Sequence, residues 1–513
     1  MSIFNKDSRT NNVVKISSVG TVCDVANTVM GFVYRTIFLQ FLSSSYLGIN
    51  GLFTNLLQIL SFAELGISTA IVYRFYEPIS RDDIQKVGQL MHFFKQVYRW
   101  ISLVILIIGL GLFPFLHAFI KDASEVPTDI NIKVIYLLYL IQTLSSYMYV
   151  YKQTLLSADQ RQHILSFMRT IMSLIRYGFQ IVVLALWRDY TLTLMISILS
   201  TIFMNAMISG WVTRKYKAVF SVKESLPKAE KKQIYNDTKA TLCHKVGGTV
   251  LNGTDNVILS SFVGLMETGI YSNYALLISS LNKILGQLLG GFTASLGNAH
   301  VEQTTEQKYL SYRRLLFLNF WIASVCTVCL YNLIDVFIYV WLGDGMQLDQ
   351  LTVITLCIQF YFVTMRSIST SYTNACGLFV RDKARPLIEA LINLFVSVLL
   401  VQIIGTAGVF LGTIISHLCT VFWREPYLLF RYEFQRNSKE YWKYFFEFSF
   451  LTILIAWIMK LIFNITTHIK IGFIVWLTRA SVIFVVTNVI FCMIFVKNED
   501  WKFYISFLKK RIL

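Results

Sequence analysis

Apolar side chains recur along this chain in fourteen runs, near 13–41, 48–76, 91–120, 131–156, 164–187, 191–213, 241–265, 269–296, 314–342, 350–377, 385–404, 408–430, 444–464 and 472–496. About 20 residues of α-helix cross the hydrocarbon of a bilayer, so each run predicts one membrane span. The runs are unbroken rather than alternating in polarity, which excludes a transmembrane barrel. The expected fold is an all-α polytopic membrane protein of about 14 transmembrane helices.

The polar segments between the runs alternate in charge. One set carries Arg81 and Lys86, then Arg161, then Arg214, Lys215, Lys217, Lys223, Lys228, Lys231 and Lys232, then Lys308, Arg313 and Arg314, then Arg381, Lys383 and Arg385, then Arg431, Arg436 and Lys439, and last Lys509, Lys510 and Arg511. The other set holds little beyond Lys121, Arg188 and Lys470. Short basic loops stay in the cytoplasm, so both termini are expected inside, which an even number of spans satisfies. The basic stretch after residue 213 separates two sets of six runs. The expected organisation is an N-terminal lobe (1–213), a basic linker (214–240), a C-terminal lobe (241–435), and two further spans with a basic tail (436–513). A weak repeat supports the two lobes: Arg35–Ile49 aligns without gaps on Asn256–Ile270, pairing Gly48 with Gly269.

Within several spans the polar residues fall on one helical face. Gly20, Asp24, Asn27, Gly31 and Arg35 share a face of the first, and Arg169, Ser173, Arg176 and Gln180 a face of the fifth. Gln142, Ser146, Tyr149 and Gln153 mark the fourth, Lys245, Gly248, Asn252 and Asn256 the seventh with Asp255 adjacent, Asn273, Ser280, Lys283 and Gln287 the eighth, and Gln359, Arg366, Thr370 and Thr373 the tenth. The uncharged members read as glue between helices. A cation at mid-span costs several kcal/mol unless water or an anion meets it, so Arg35, Arg176, Lys245, Lys283 and Arg366 are expected to line a cavity, with Asp24, Glu64 and Asp255 the acids able to pair with some of them. Basic side chains outnumber acidic ones in the spans, and such a cavity attracts an anion. Arg74, Arg99, Lys239, Arg313 and Arg314 lie nearer the cytoplasmic ends, where long side chains snorkel to head groups.

Composition narrows the class further. The 513 residues are 55% hydrophobic and 15% charged with a net charge of +17, and mean hydropathy is +0.57. Disorder, collagen and a disulfide scaffold are excluded. The basic residues are dispersed between spans instead of forming a patch, so no nucleic-acid partner is expected. All eight cysteines fall in or beside spans, and the Cys326–Cys329 pair reads as helix packing. No metal-ligand spacing, phosphate-binding loop, HExxH or nucleophile elbow occurs, no cofactor is expected, and the histidines lack an acid partner at catalytic spacing.

The run Tyr46–Tyr76 (YLGINGLFTNLLQILSFAELGISTAIVYRFY) resembles the second-helix signature of Wzx-type oligosaccharide flippases, the polysaccharide transporter branch of the MOP exporter superfamily. Asn252–Tyr274 and Gly405–Tyr427 look like the same branch. The resemblance implies two six-helix lobes around a central cavity, plus two C-terminal helices. It also implies a substrate, an oligosaccharide linked through diphosphate to undecaprenol, moved to the outer leaflet of the bacterial cytoplasmic membrane for capsule, exopolysaccharide or O-antigen assembly. A proton or sodium gradient is the drive to consider, with polysaccharide polymerase and export proteins as partners beside membrane lipids. A diphosphate needs cations and a sugar needs amides. Arg35 and Lys283 are therefore the expected head-group ligands, Arg366, Lys245 and Arg176 secondary lining, Asn27, Asn252 and Gln287 amide ligands, and Asp24, Glu64 and Asp255 coupling acids. Lipid II flippases and multidrug exporters of the same superfamily are the alternatives; a membrane-embedded polysaccharide polymerase or acyltransferase is the one from another class.

Overall fold

A computed structural model describes residues 4, 9–60, 67–235, 248, 253–299, 304–382, 384–465 and 472–512. Glu64, Lys245 and Asn252 lie outside them. The described residues form helices joined by short turns and loops, with no strand among them. Ten of their helices are long and apolar enough to cross a bilayer, or eleven if one pair bent by 41° counts as a single span. The expected spans at 48–76 and 241–265 run into residues that are not described, and in the expected span at 269–296, which is helical, the side chains from 288 on are not described, so fourteen is not reached by count.

The chain divides into two compact units at Gly269, later than the basic linker. The first unit contains α1 (Arg9–Phe41), α2 (Ser44–Leu60), α3 (Ile67–Ser80), α4 (Ile84–Leu112), α5 (Ile132–Tyr147), α6 (Val150–Ala158), α7 (Gln162–Trp187), α8 (Tyr190–Lys215), α9 (Lys217–Ser221), α10 (Asp255–Phe262) and the first turn of α11 (Leu265–Ala299). Helix α1 lies along α7, α7 on α8, α8 on α5, α3 on α4 and α6, and α2 on α10. The bent pair is α5 and α6. Neither Pro nor Gly lies at the bend. Instead Ser145 and Ser146 return their hydroxyls to the carbonyls of Gln142 and Thr143, both at 2.7 Å, and Ser or Thr bonding back to its own helix often bends it.

Lipid offers no hydrophobic drive between helices, so close approach depends on small residues. The repeat seen in the sequence is in register with the backbone. Helices α1 and α10 both end at its Phe41/Phe262 pair, and α2 and α11 both begin at its Ser44/Leu265 pair. A Cβ placed on Gly48 would overlap the backbone of Leu265, and one on Gly269 would overlap the backbone of Ser44. Each glycine thus packs on the counterpart of the residue that begins its own helix, a reciprocal crossing of α2 and α11. The acidic loop after α4 closes over the turn preceding α11: Glu125 accepts from the backbone N–H of Leu265 and, at 3.0 Å, of Met266, satisfying donors that a helix start leaves open.

The second unit contains the rest of α11, then α12 (Thr305–Leu342), α13 (Gln350–Met365), α14 (Ser367–Ala375), α15 (Arg385–Ile404), α16 (Thr406–Cys419), α17 (Val421–Leu428), α18 (Lys439–Ile465), α19 (Phe473–Phe495) and α20 (Glu499–Ile512). Helix α12 packs against α13, α18 and α19, and α15 against α16. Gly408 and Gly412, one turn apart, let α16 meet the backbone of Leu400 and Ser397. The last two spans join through rings: Phe448 lies 5.6 Å from Phe491 and 4.5 Å from Phe495, while Trp321 stacks on Trp501 at 4.6 Å. Such pairs contribute about 0.5–1.5 kcal/mol each beyond area burial. Phe203, Phe450, Ile453 and Trp457 stand exposed, as lipid-facing positions require.

Candidate functional site

The polar stripes of the first unit face one another. Asn27 on α1 donates to Thr170 Oγ1 on α7 at 2.7 Å and to the Cys23 carbonyl at 2.9 Å. Two turns along α1, Arg35 lies in the electrostatic field of Tyr34 and Tyr177. The Tyr34 and Tyr177 rings are 5.2 Å apart, and the Arg176 guanidinium sits 4.9 Å from the Tyr177 ring. Arg176 Nη1 reaches Ser197 Oγ at 3.5 Å, and the same hydroxyl accepts from Gln142 Nε2 at 3.0 Å. Behind this cluster Tyr139 and Tyr190 share a 2.9 Å hydrogen bond.

A second polar ladder runs through the same unit. Arg169 donates to Gln153 Oε1, Gln153 Nε2 donates to Asn205 Oδ1 at 2.8 Å, and Asn205 Nδ2 reaches the Ser145 carbonyl at 3.4 Å. Among the described residues, Arg176 and Arg169 meet hydroxyls, amides and rings rather than carboxylates. The Arg176 Nε is buried with no hydrogen-bond partner among them. Leaving that one buried N–H unspent on a half-buried side chain costs about 1–3 kcal/mol, a cost that a phosphate oxygen would remove.

The remaining expected residues are scattered. Asp24 is exposed on α1. Asp255 opens α10, with Oδ1 buried and without a hydrogen-bond partner among the described residues. Lys283 and Gln287 are exposed on the part of α11 that belongs to the second unit.

Arg366 departs from the expectation of an isolated cation. Its guanidinium lies 3.9 Å from Glu389 and 3.5 Å from Glu425. Neither acid is among the three that the stripes singled out. Arg385 reaches Asp382 and Glu389, each at 2.6 Å, and Arg424 meets Asp382 at 3.3 Å. Thr370 donates to Glu425 at 2.9 Å. His417 Nε2 lies 3.3 Å from Glu389 Oε1, so one histidine does have an acid partner, supplied by a different helix. The group is closed: Glu389, Glu425 and His417 are all buried, and each carboxylate is engaged by a guanidinium. Sequence reasoning missed it because the partners come from separate places along the chain: Arg366 between α13 and α14, Thr370 on α14, Asp382 just before α15, Arg385 and Glu389 on α15, His417 on α16, and Arg424 and Glu425 on α17. The available signal was two acids, Glu389 and Glu425, inside apolar runs.

Comparison with known proteins bears on the family and the fold. A family model described as "Polysaccharide biosynthesis protein" matches residues 13–290, more than half of the chain. No curated protein matches it in sequence. Among solved structures, the lipid II flippase MurJ in an inward closed conformation aligns with a TM-score of 0.65 and 14% identity, covering 93% of this chain and 99% of its own. An inward-facing multidrug resistance MATE family transporter aligns with a TM-score of 0.58 and 13% identity, covering 81% of this chain and 98% of its own. A MOP superfamily transporter from Pyrococcus furiosus aligns with a TM-score of 0.51 and 12% identity over 82% of this chain and 95% of its own. A multi-pass helical chain with the MOP fold, whose first half matches that family throughout, belongs to the polysaccharide biosynthesis protein family.

Proposed function

We propose that the protein flips undecaprenyl-diphosphate-linked oligosaccharide repeat units from the inner to the outer leaflet of a bacterial cytoplasmic membrane, with both termini cytoplasmic. The observation that carries this reading is the cluster of Arg176, Tyr34, Tyr177, Ser197 and Gln142, with Arg35 next to Tyr34 on α1 and in the field of both tyrosines. In it Arg176 meets hydroxyl and ring partners and no described carboxylate. A diphosphate supplies the missing negative charge, and hydroxyls and amides beside it suit sugar. Arg35 and Arg176 serve as head-group ligands, Asn27 as an amide ligand, and Lys283 as an exposed cation within a span of the second unit. Arg366 is already neutralised by Glu389 and Glu425, and on this reading it braces α13 against α15 and α17.

Mechanistically, two lobes alternate access to the head group while the polyprenyl tail stays in lipid. Binding of the diphosphate lowers the cost of holding cations away from bulk water, so the loaded state can close where the empty one resists. Asp24 and Asp255 are the described candidates for coupling the cycle to a proton or sodium gradient. Multidrug export of cations is disfavoured, since the buried carboxylates of the second unit are engaged by arginines.

The test is complementation in a cell lacking its own repeat-unit flippase. Arg35→Ala, Arg176→Gln and Lys283→Ala should insert at parental levels while lipid-linked repeat units accumulate on the inner leaflet. If all three export polysaccharide at the parental rate, the assigned site is wrong.

A further inference from the structure

A second group of cations lies away from the proposed substrate cluster, at the bend between α5 and α6. A groove of about 640 Å³ opens there between α4 and the bent pair, and Lys95, Arg99 and Lys152 line it together with Tyr149, Ser145 and Ile141. No carboxylate lines it. Lys152 is held in place: its ammonium donates to Ser209 Oγ at 2.6 Å and Thr213 Oγ1 at 2.8 Å, and lies 5.8 Å from the Tyr149 ring and 5.3 Å from the Phe220 ring. An ammonium has three donors, so one remains for a ligand. Lys95 and Arg99 are exposed one turn apart on α4, and among the described residues neither has an ion-pair partner.

The groove is chemically two-ended. Lys95 and Arg99 lie midway along α4, just before its apolar stretch opens at Ile101, and Lys152 lies on α6 toward the basic position Arg161, while Ile141 is on α5, eleven residues before Lys152. Trp100, 68% exposed beside Arg99, is the kind of ring that settles at head-group depth. The bend itself interrupts a helix ladder within a span, which is tolerated where a polar or water-lined cavity adjoins the freed backbone.

We infer that this groove is a binding site for an anionic glycerophospholipid of the inner leaflet, with its phosphate among Lys95, Arg99 and Lys152 and an acyl chain along Ile141. Only the assignment to the inner leaflet rests on the orientation proposed above. A phosphate on a polyprenyl lipid would offer the same charge. The resident phospholipid is favoured because the groove opens at the apolar surface of one unit and is separate from the Arg35 and Arg176 cluster.

The full chain, purified in a neutral detergent, is titrated with dioleoyl phosphatidylglycerol, dioleoyl phosphatidylcholine or undecaprenyl diphosphate, and bound lipid is counted by native mass spectrometry. Phosphatidylglycerol should bind one-to-one at this site and phosphatidylcholine should not. At about 1 kcal/mol for each basic residue near a head group, Lys95→Gln/Arg99→Gln should weaken phosphatidylglycerol binding roughly thirtyfold. Both positions are exposed, so the variant should fold, and an unchanged melting temperature without lipid verifies that. Equal binding by the variant, equal binding of phosphatidylcholine, or displacement of phosphatidylglycerol by equimolar undecaprenyl diphosphate each overturns the inference. The readout is lipid bound rather than lipid moved, so its failure leaves the flippase reading standing, and failure of the Arg35 and Arg176 variants leaves this site standing.

Discussion

Replacing Gly48 or Gly269 by alanine places a methyl group where α2 and α11 leave no room. The obstructing atoms are backbone carbonyls, of Leu265 in one case and Ser44 in the other, and a carbonyl cannot swing aside as a flexible side chain can. The helices must therefore part. Overpacking of this kind costs about 1–3 kcal/mol, and a backbone obstacle puts each substitution at the upper end. Alanine returns roughly 1 kcal/mol of helix propensity, leaving a net loss of about 2 kcal/mol for each single variant. The two sites are not independent, because both glycines serve one crossing. Once the helices have separated for the first methyl, the second meets less resistance, so the double variant should lose about 2–3 kcal/mol rather than 4, a coupling of about 1–2 kcal/mol. Thermal unfolding in detergent reads the order: each single variant melts well below the parent, and the double melts close to the worse single. Gly178→Ala is the control, since a Cβ there meets nothing. Singles that melt with the parent, or a double whose loss equals the sum, would refute the reciprocal crossing.

The ion-pair group makes a second demand on stability. Glu425→Ala leaves Arg366 only its longer contact with Glu389 at 3.9 Å and removes the acceptor of Thr370. Breaking a buried pair costs about 3–5 kcal/mol, and with Glu389 still present the loss should lie at the lower end; a variant that expresses and melts normally would show that water reaches the group. Glu125→Ala should cost about 1–2 kcal/mol by uncapping α11, detected as faster deuterium exchange at Leu265 and Met266, with unchanged exchange counting against it. Glu224, in the segment after α9, accepts from Gln85 at 2.8 Å and Gln89 at 3.0 Å. Those bonds hold its carboxyl below the usual value of 4.5, so the stability they contribute is present above pH 4.5 and fades as pH falls through the lower folded value. Deuterium exchange across 222–235 should rise below pH 4.5 in the parent and be high at neutral pH in Glu224→Gln, and a flat profile would contradict this.

The sequence reading reached furthest where a physical rule acts locally. Span positions follow from unbroken apolar length, and the Gly48/Gly269 repeat could be aligned because two helix breaks recur 221 residues apart (262 − 41 and 265 − 44). The facing stripes on α1, α5, α6 and α7 were visible for the same reason, since one helical face is set by spacing alone. Which cations would be neutralised was not visible. Arg366 and Arg176 look alike along the chain, each an arginine in a polar stripe with no acid on its own span's stripe. They differ only because Glu389 and Glu425 arrive beside Arg366 from other helices, while hydroxyls and a tyrosine ring arrive beside Arg176. The bend after Tyr147 was likewise missed, because a serine pair is a weaker signal than proline or glycine.

The closed group of the second unit sets three guanidiniums, of Arg366, Arg385 and Arg424, against three carboxylates, of Asp382, Glu389 and Glu425. A body with no net charge does no work when it moves through the transmembrane potential, which otherwise supplies about 2.3 kcal/mol per elementary charge per 100 mV. Any voltage sensitivity of the transport cycle must then originate elsewhere, in cations such as Arg35, Arg176 and Lys283 or in the diphosphate they would accompany.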